Sequence, residues 1–140
     1  MVGHEPRKQG VTILVYICGP YTARDCDLHD AARVQQQNTD RAVDIGLQVM
    51  EAGHTPFIPH LSHYVHLRAD KSYEAALWYE MGLEVLARCD VLLKFDSSPG
   101  ADMEEQEARR LGIPVVYSIE DLLRLDIRMR CSRGDLGNTS

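Results

Sequence analysis

The chain has 140 residues, the size of one domain, with 44% hydrophobic and 26% charged residues, which excludes a wholly disordered chain, a collagen-like repeat and a disulfide scaffold. Its 15 Lys and Arg against 21 Asp and Glu give a net charge of −6, and the basic residues form no long run, so a nucleic acid polymer is not expected and a small ligand is. The apolar stretch 11–18 is too short to span a bilayer, and the opening MVGHEPRKQG lacks the apolar core of a signal peptide, so the chain reads as soluble and cytoplasmic, with no membrane partner.

After a polar lead at 1–10, residues 12–18 (TILVYIC) are β-branched and apolar with little alternation, the pattern of a central strand covered on both faces. Gly19 and Pro20 then stop the strand and open a loop. From 28 to 52, Ala31, Val34, Ala42, Ile45, Val49 and Met50 recur at helical spacing, and Gly53 supplies a C-terminal cap. Residues 55–59 (TPFIP) read as a short strand bracketed by prolines, and HLSHYVHLRADKS as a loop or a broken helix. A second long helix is predicted at 73–88 and a third strand at 91–95. A loop at 97–100 leads to a helix at 102–111 capped by Gly112, then a strand at 113–117 and a last helix at 119–127. The unit is thus a single domain at 11–128, with a flexible tail at 129–140 that is free or meets a partner subunit.

Strands alternating with helices predict a doubly wound, Rossmann-like α/β fold: one parallel sheet of about four to five strands with helices on both faces. Ligands in such folds sit outside the carboxyl ends of the strands, here the loops 19–27, 59–66 and 96–102. The four cysteines, Cys18, Cys26, Cys89 and Cys131, contain no CxxC pair and are expected to be reduced thiols.

The loop SSPGADMEE joins a buried strand to a helix and is expected to place Glu104 and Glu105 in that helix's first turn, beside a glycine that lets the backbone approach a ligand. A carboxylate there either faces a site or merely complements the positive helix terminus. YICGP after the first strand, AGHTPFIP after the first long helix, LARCDVLL before the third strand and PGADMEEQEARRLGIPVVY beyond it together bear on that choice. This set resembles the nucleoside 2-deoxyribosyltransferase-like superfamily, which includes deoxyribosyltransferases and nucleotide N-glycoside hydrolases, over most of the chain. In its enzymes a glycine is followed four residues later by the catalytic glutamate and after four more by an alanine, here Gly100, Glu104 and Ala108.

The resemblance implies that Glu104 is a nucleophile on the anomeric carbon of a nucleoside or nucleoside 5′-monophosphate, forming a glycosyl-enzyme intermediate that water or a second base resolves. It implies that Tyr16, Gly19, Pro20, Tyr21 and Gly100 shape the sugar site, that Arg24 and Ser98 make polar or phosphate contacts, and that His60 and the loop to His66 cover the base. It implies no cofactor and no metal, and a homo-oligomer whose neighbouring subunit completes the site. An aspartate of those enzymes falls at Gly82 here, with Glu80 and Glu84 as nearby substitutes.

Other readings stay open beside it. His60, His63 and His66 have a spacing that offers two metal ligands on one helical face, but no local acidic residue completes a set, so a loop or lid role is expected. Trp78 and Tyr79 either stack on a base or belong to core or interface. Cys18 and Arg24 have the Cys-x5-Arg spacing of thiol phosphatases, although Pro20 removes an amide donor and Asp25 repels an anion. A non-catalytic nucleotide sensor on the same fold is the remaining alternative, favoured by Gly82 and opposed by the unpaired carboxylate of Glu104.

Overall fold

Strand β1 (Leu14–Cys18) lies between β2 (Thr55–Phe57) and β3 (Val91–Lys94), and β4 (Val115–Val116) forms the far edge, all parallel in the order β2-β1-β3-β4. The computed structural model describes residues 12–22 and 28–132. Helices α1 (Leu28–Glu51) and α5 (Ile119–Ser132) cover one face of the sheet, while α3 (Ala75–Leu86) and α4 (Pro99–Arg110) cover the other. A 3₁₀ turn at Pro59–Leu61 runs into the short α2 (Ser62–Arg68) beside α1. This is the doubly wound α/β fold expected from the alternation of elements.

The period-two geometry of a strand explains why β1 shows no polar alternation: each of its faces meets a helix layer. Val15 and Ile17 join Val91, Leu93 and Val116 against Ala42 and Val49 of α1 and Leu122 of α5. Tyr16, Cys18 and Leu92 point the other way, toward Leu86 of α3 and toward Ala101 and Ala108 of α4. Val15 through Cys18 are fully buried, and each large apolar side chain so placed contributes about 1.5–3 kcal/mol. Pro56 sits in β2, an edge strand, where its missing N–H leaves no gap inside the sheet. The two glycine caps form as expected, Gly53 at φ +89° and Gly112 at φ +75°, a backbone region unfavourable to other residues.

Several boundaries differ from the sequence expectation. Helix α4 begins at Pro99, three residues before the predicted start, because the Ser98 hydroxyl accepts the Ala101 N–H at 3.1 Å as an N-cap and Pro99 takes the first helical position. The stretch after β2 takes the broken-helix form of the two considered. Only Val115 and Val116 of 113–117 pair as strand, alongside Leu92 and Leu93. Helix α5 continues to Ser132, beyond the predicted end at 127 and into the segment assigned to a tail. The lead at 1–10 and residues 133–140 lie outside the described residues.

The chain direction diverges between β1 and β3: the path from β1 leads to β2 on one side, and that from β3 leads to β4 on the other. A crevice opens at such a switch point outside the carboxyl ends of the two strands. The first residues after β1 and the first turns of α4 flank it.

Candidate active site

Glu104 reaches this crevice from the second turn of α4, not from the first turn expected, since the helix starts at Pro99. Its carboxylate turns back onto β1. The Tyr16 hydroxyl donates to Oε2 in a short hydrogen bond, and the Cys18 thiol lies 3.8 Å from Oε1 and 3.4 Å from the Ala101 carbonyl. Tyr16 and Cys18 are two apart on one strand, so both present their polar atoms to the α4 face. Glu104 itself is half-buried and opens on the crevice.

Burial pushes the Glu104 carboxyl up to about 7, against the hydrogen bonds from Tyr16 and Cys18, which hold it down. Burial and then the Glu104 charge push the Tyr16 hydroxyl and the Cys18 thiol far above their ordinary ranges. Both therefore stay protonated as donors to the carboxylate. For Cys18 this is the reverse of what a thiolate nucleophile requires.

Gly82 of α3 faces the same pair. A Cβ there would stand 2.7 Å from the Tyr16 hydroxyl and 3.6 Å from Glu104 Oε2, and the buried Tyr16 ring has little room to yield. The hydroxyl of Tyr16 thus occupies the space that a larger residue at 82 would need. Glu80 and Glu84, considered as substitutes for an aspartate there, are exposed, and neither hydrogen-bonds to Glu104.

Two small pockets meet at Glu104. One, of about 130 Å³, lies against Gly19, Tyr21, Ser98 and Gly100. The other, of about 140 Å³, adds Tyr16, His60, Trp78 and Tyr79. Six residues expected to bind substrate, Tyr16, Gly19, Tyr21, His60, Ser98 and Gly100, line one or both of them with Glu104. Pro20 lines neither; its carbonyl, like that of Gly19, accepts from His60 Nε2, at 3.1 and 3.0 Å. His60 is thereby a buried clasp on the loop after β1 as well as part of the pocket wall, and burial lowers its pKa. Arg24 lies outside the described residues.

The remaining histidines have separate duties. His63 Nε2 meets the Gln36 side-chain oxygen at 3.2 Å, so Nδ1 is left to accept the Tyr21 hydroxyl at 2.7 Å. Burial, then the nearby His66, lowers the His63 pKa and favours this neutral form. His54 is buried between the Ile13 amide, 3.2 Å from Nδ1, and Asp126, 3.1 Å from Nε2. Among the described residues no three His, Cys, Asp or Glu side chains converge as a metal-ligand set.

Beyond the small pockets a larger chamber of about 580 Å³ opens beside α3 and α4, lined also by Gln35 of α1 and by Ser62 and His66 of α2. Ala75, Trp78, Tyr79 and Gly82 recur at i, i+3, i+4 and i+7 along α3, and Gly100, Met103 and Glu104 at i, i+3 and i+4 along α4, so each helix turns one stripe toward the crevice. Trp78 and Tyr79 therefore belong to the cleft and to neither core cluster. Tyr73 and Met103, which sequence reasoning did not single out, line the chamber as well. The helical phase of Met103 relative to Gly100 was the available signal; for Tyr73, in the link before α3, there was none.

Residues 13–118 match the family described as Domain of unknown function (DUF7768). The chain belongs to this DUF7768 family. No curated protein matches it. The matched span of this DUF7768 protein runs from just before β1 to just past β4, so it contains both Tyr16 and Glu104 and the whole parallel sheet. Among its described residues no helix is long and apolar enough to cross a membrane.

Proposed function

We propose that this DUF7768 protein cleaves or exchanges the N-glycosidic bond of a nucleoside or nucleoside 5′-monophosphate, with Glu104 as nucleophile. The observation that carries the reading is the Glu104 carboxylate at the junction of two sugar-sized pockets, steered by the Tyr16 hydroxyl, with a carboxyl pKa near neutrality. The sequence resemblance to the nucleoside 2-deoxyribosyltransferase-like superfamily supports it at the same residue.

In this reading a Glu104 oxygen bonds to the anomeric carbon as the base departs with the electron pair of the glycosidic bond and takes up a proton from solvent water. Tyr16 and Cys18 hold the carboxylate in line and neutralise part of its charge, while its ionised form stabilises the positive charge that develops on the sugar. Water attacking the same carbon gives hydrolysis, and a second base gives exchange, with net retention of configuration in both. The protein acts in nucleotide metabolism and as a homo-oligomer, whose mass light scattering measures.

One observation favours a second reading. The space at Gly82 holds the Tyr16 hydroxyl and no second carboxylate beside that of Glu104, so residue 82 supplies no group to protonate the departing base, as in a nucleotide-binding protein without turnover. A thiol phosphatase is disfavoured by the protonated Cys18 beside Glu104. The deciding experiment incubates the protein with ribo- and deoxyribonucleosides and their 5′-monophosphates, with and without a free second base, and follows the bases by chromatography. Released or exchanged base, lost in Glu104→Ala, supports the glycosidic reading. Calorimetric binding with no product over many hours supports the sensor, and neither product nor binding overturns both.

A further inference from the structure

We infer that the chamber beside α3 and α4 is an aglycone site for an extended aromatic base, one carrying an aromatic or apolar substituent beyond the ring system of an ordinary nucleobase. The inference rests on the glycosidic reading above and adds to it the class of leaving group. Its first support is size. The pockets at Glu104 measure about 130 and 140 Å³, whereas the adjoining chamber measures about 580 Å³, inside the range of roughly 300–1,000 Å³ typical of sites for drug-sized ligands. The small pockets suit a sugar; the chamber is some four times larger than either.

Its second support is chemistry. Tyr73, Trp78, Tyr79 and Met103 supply flat and polarisable walls, and Ala75 and Ala76 leave the space beside them unfilled. Gln35 and His66 offer hydrogen-bonding groups, and no Asp, Glu, Lys or Arg lines the chamber among the described residues. A flat aromatic group gains contact on several sides there. A small base would leave apolar wall unsatisfied, and dispersion contacts absent on one side are lost outright.

Its third support is continuity. Tyr21 and Gly100 line all three cavities, and Trp78 and Tyr79 line both the chamber and one of the two pockets that meet at Glu104. A sugar held against the carboxylate therefore directs its base toward the aromatic stripe of α3.

Trp78 is the chain's only tryptophan, so its fluorescence reports occupancy of the chamber whether or not a bond is cleaved. The test titrates the full chain, and its Glu104→Gln variant, with two matched pairs, each as ribo- and 2′-deoxyribonucleoside: adenosine against its N6-benzyl derivative, and uridine against its 5-phenyl derivative. At least one substituted member is expected to bind about tenfold or more tighter than its parent, the scale set by burying an added ring. Ala76→Phe, at an exposed helix position that tolerates the change, fills the chamber and is expected to erase that preference while Trp78 still reports binding. Equal or weaker binding of both substituted members, or a preference that survives Ala76→Phe, overturns the inference. Cleavage of an unsubstituted nucleoside in that case leaves the glycosidic reading standing. Tight binding of a substituted member with no base released by the wild type keeps the aglycone-shaped chamber and overturns the glycosidic chemistry instead.

Discussion

Glu104 and Glu105 are neighbours on one helix, and their surroundings push them in opposite directions. Glu104 turns inward to two neutral donors and a cavity, and burial raises its carboxyl to about 7. Glu105 accepts from the buried Lys94 ammonium at 2.8 Å, from Tyr117 and from Arg109 at 3.2 Å, and the Lys94 hydrogen bond foremost lowers it to about 2. Lys94 is raised in turn by its hydrogen bonds to Asp102 and Glu105, which keep it charged on its strand. One carboxylate is spent on holding α4 to the end of β3, and the other, beside a cavity, meets no cation among the described residues. A group kept near its titration point at a switch-point crevice has the character of a reacting group, and a fully compensated one has the character of a brace.

The sharpest way to break this contrast is Glu104→Gln. Turnover is expected to fall by about a thousandfold or more in steady-state assays, since the proposed nucleophile is removed. The fold is expected to gain stability. A carboxyl raised in the native state costs stability progressively as pH rises from the unfolded value through about 7, so removing it should add about 1–3 kcal/mol above pH 7 and almost nothing near pH 4 in denaturant melts. Loss of stability at pH 8 would show that Glu104 is a brace as well.

Gly82→Ala comes next, because its Cβ collides with the Tyr16 hydroxyl that holds the Glu104 carboxylate. A misplacement of this kind is expected to lower kcat by about a hundredfold. Tyr16→Phe removes the hydrogen bond that lowers the Glu104 carboxyl, so the rising limb of the pH–rate profile should move from about 7 to higher pH, with about a tenfold loss of rate on the plateau. An unmoved profile would mean that a group other than Glu104 governs it. Glu105→Gln should have the smallest effect on turnover, less than about twofold, while destabilising the fold by about 1–3 kcal/mol at pH 7. A carboxyl lowered in the native state stabilises it above the unfolded value, so this difference should shrink as pH falls toward about 2.

Much of this architecture was legible in the sequence, for reasons that differ by region. β1 and β3 were visible because strands covered on both faces carry uninterrupted apolar runs, and α1 because Ala42, Ile45 and Val49 keep one stripe over a long helix. The start of α4 was misplaced by reading Ser98-Pro99 as turn chemistry, although the same pair is an N-cap followed by the first helical position. Glu104 was found by its spacing from Gly100 and Ala108 within a resemblance. The bracing role of its neighbour Glu105 was not legible, since it depends on which carboxylate faces Lys94 across the β3–α4 turn. The relation of Gly82 to Tyr16 was hidden for a similar cause: a missing side chain has meaning only beside the group that fills its space.

The hydrogen bond from Tyr16 to Glu104 joins residues 88 positions apart, and nothing local can substitute for it. β1 must first pair with β3 across the intervening helices, a slow kind of closure because loop entropy is lost before the contact is made. The Tyr16–Glu104 pair therefore requires both strands to be present and paired. The exposed link between α2 and α3 divides the chain into a half bearing Tyr16 and Tyr21 and a half bearing Trp78 and Glu104. Neither half carries both Tyr16 and Glu104, so the proposed activity is expected only after the two are mixed, and its return would clock the docking of one half of the sheet onto the other.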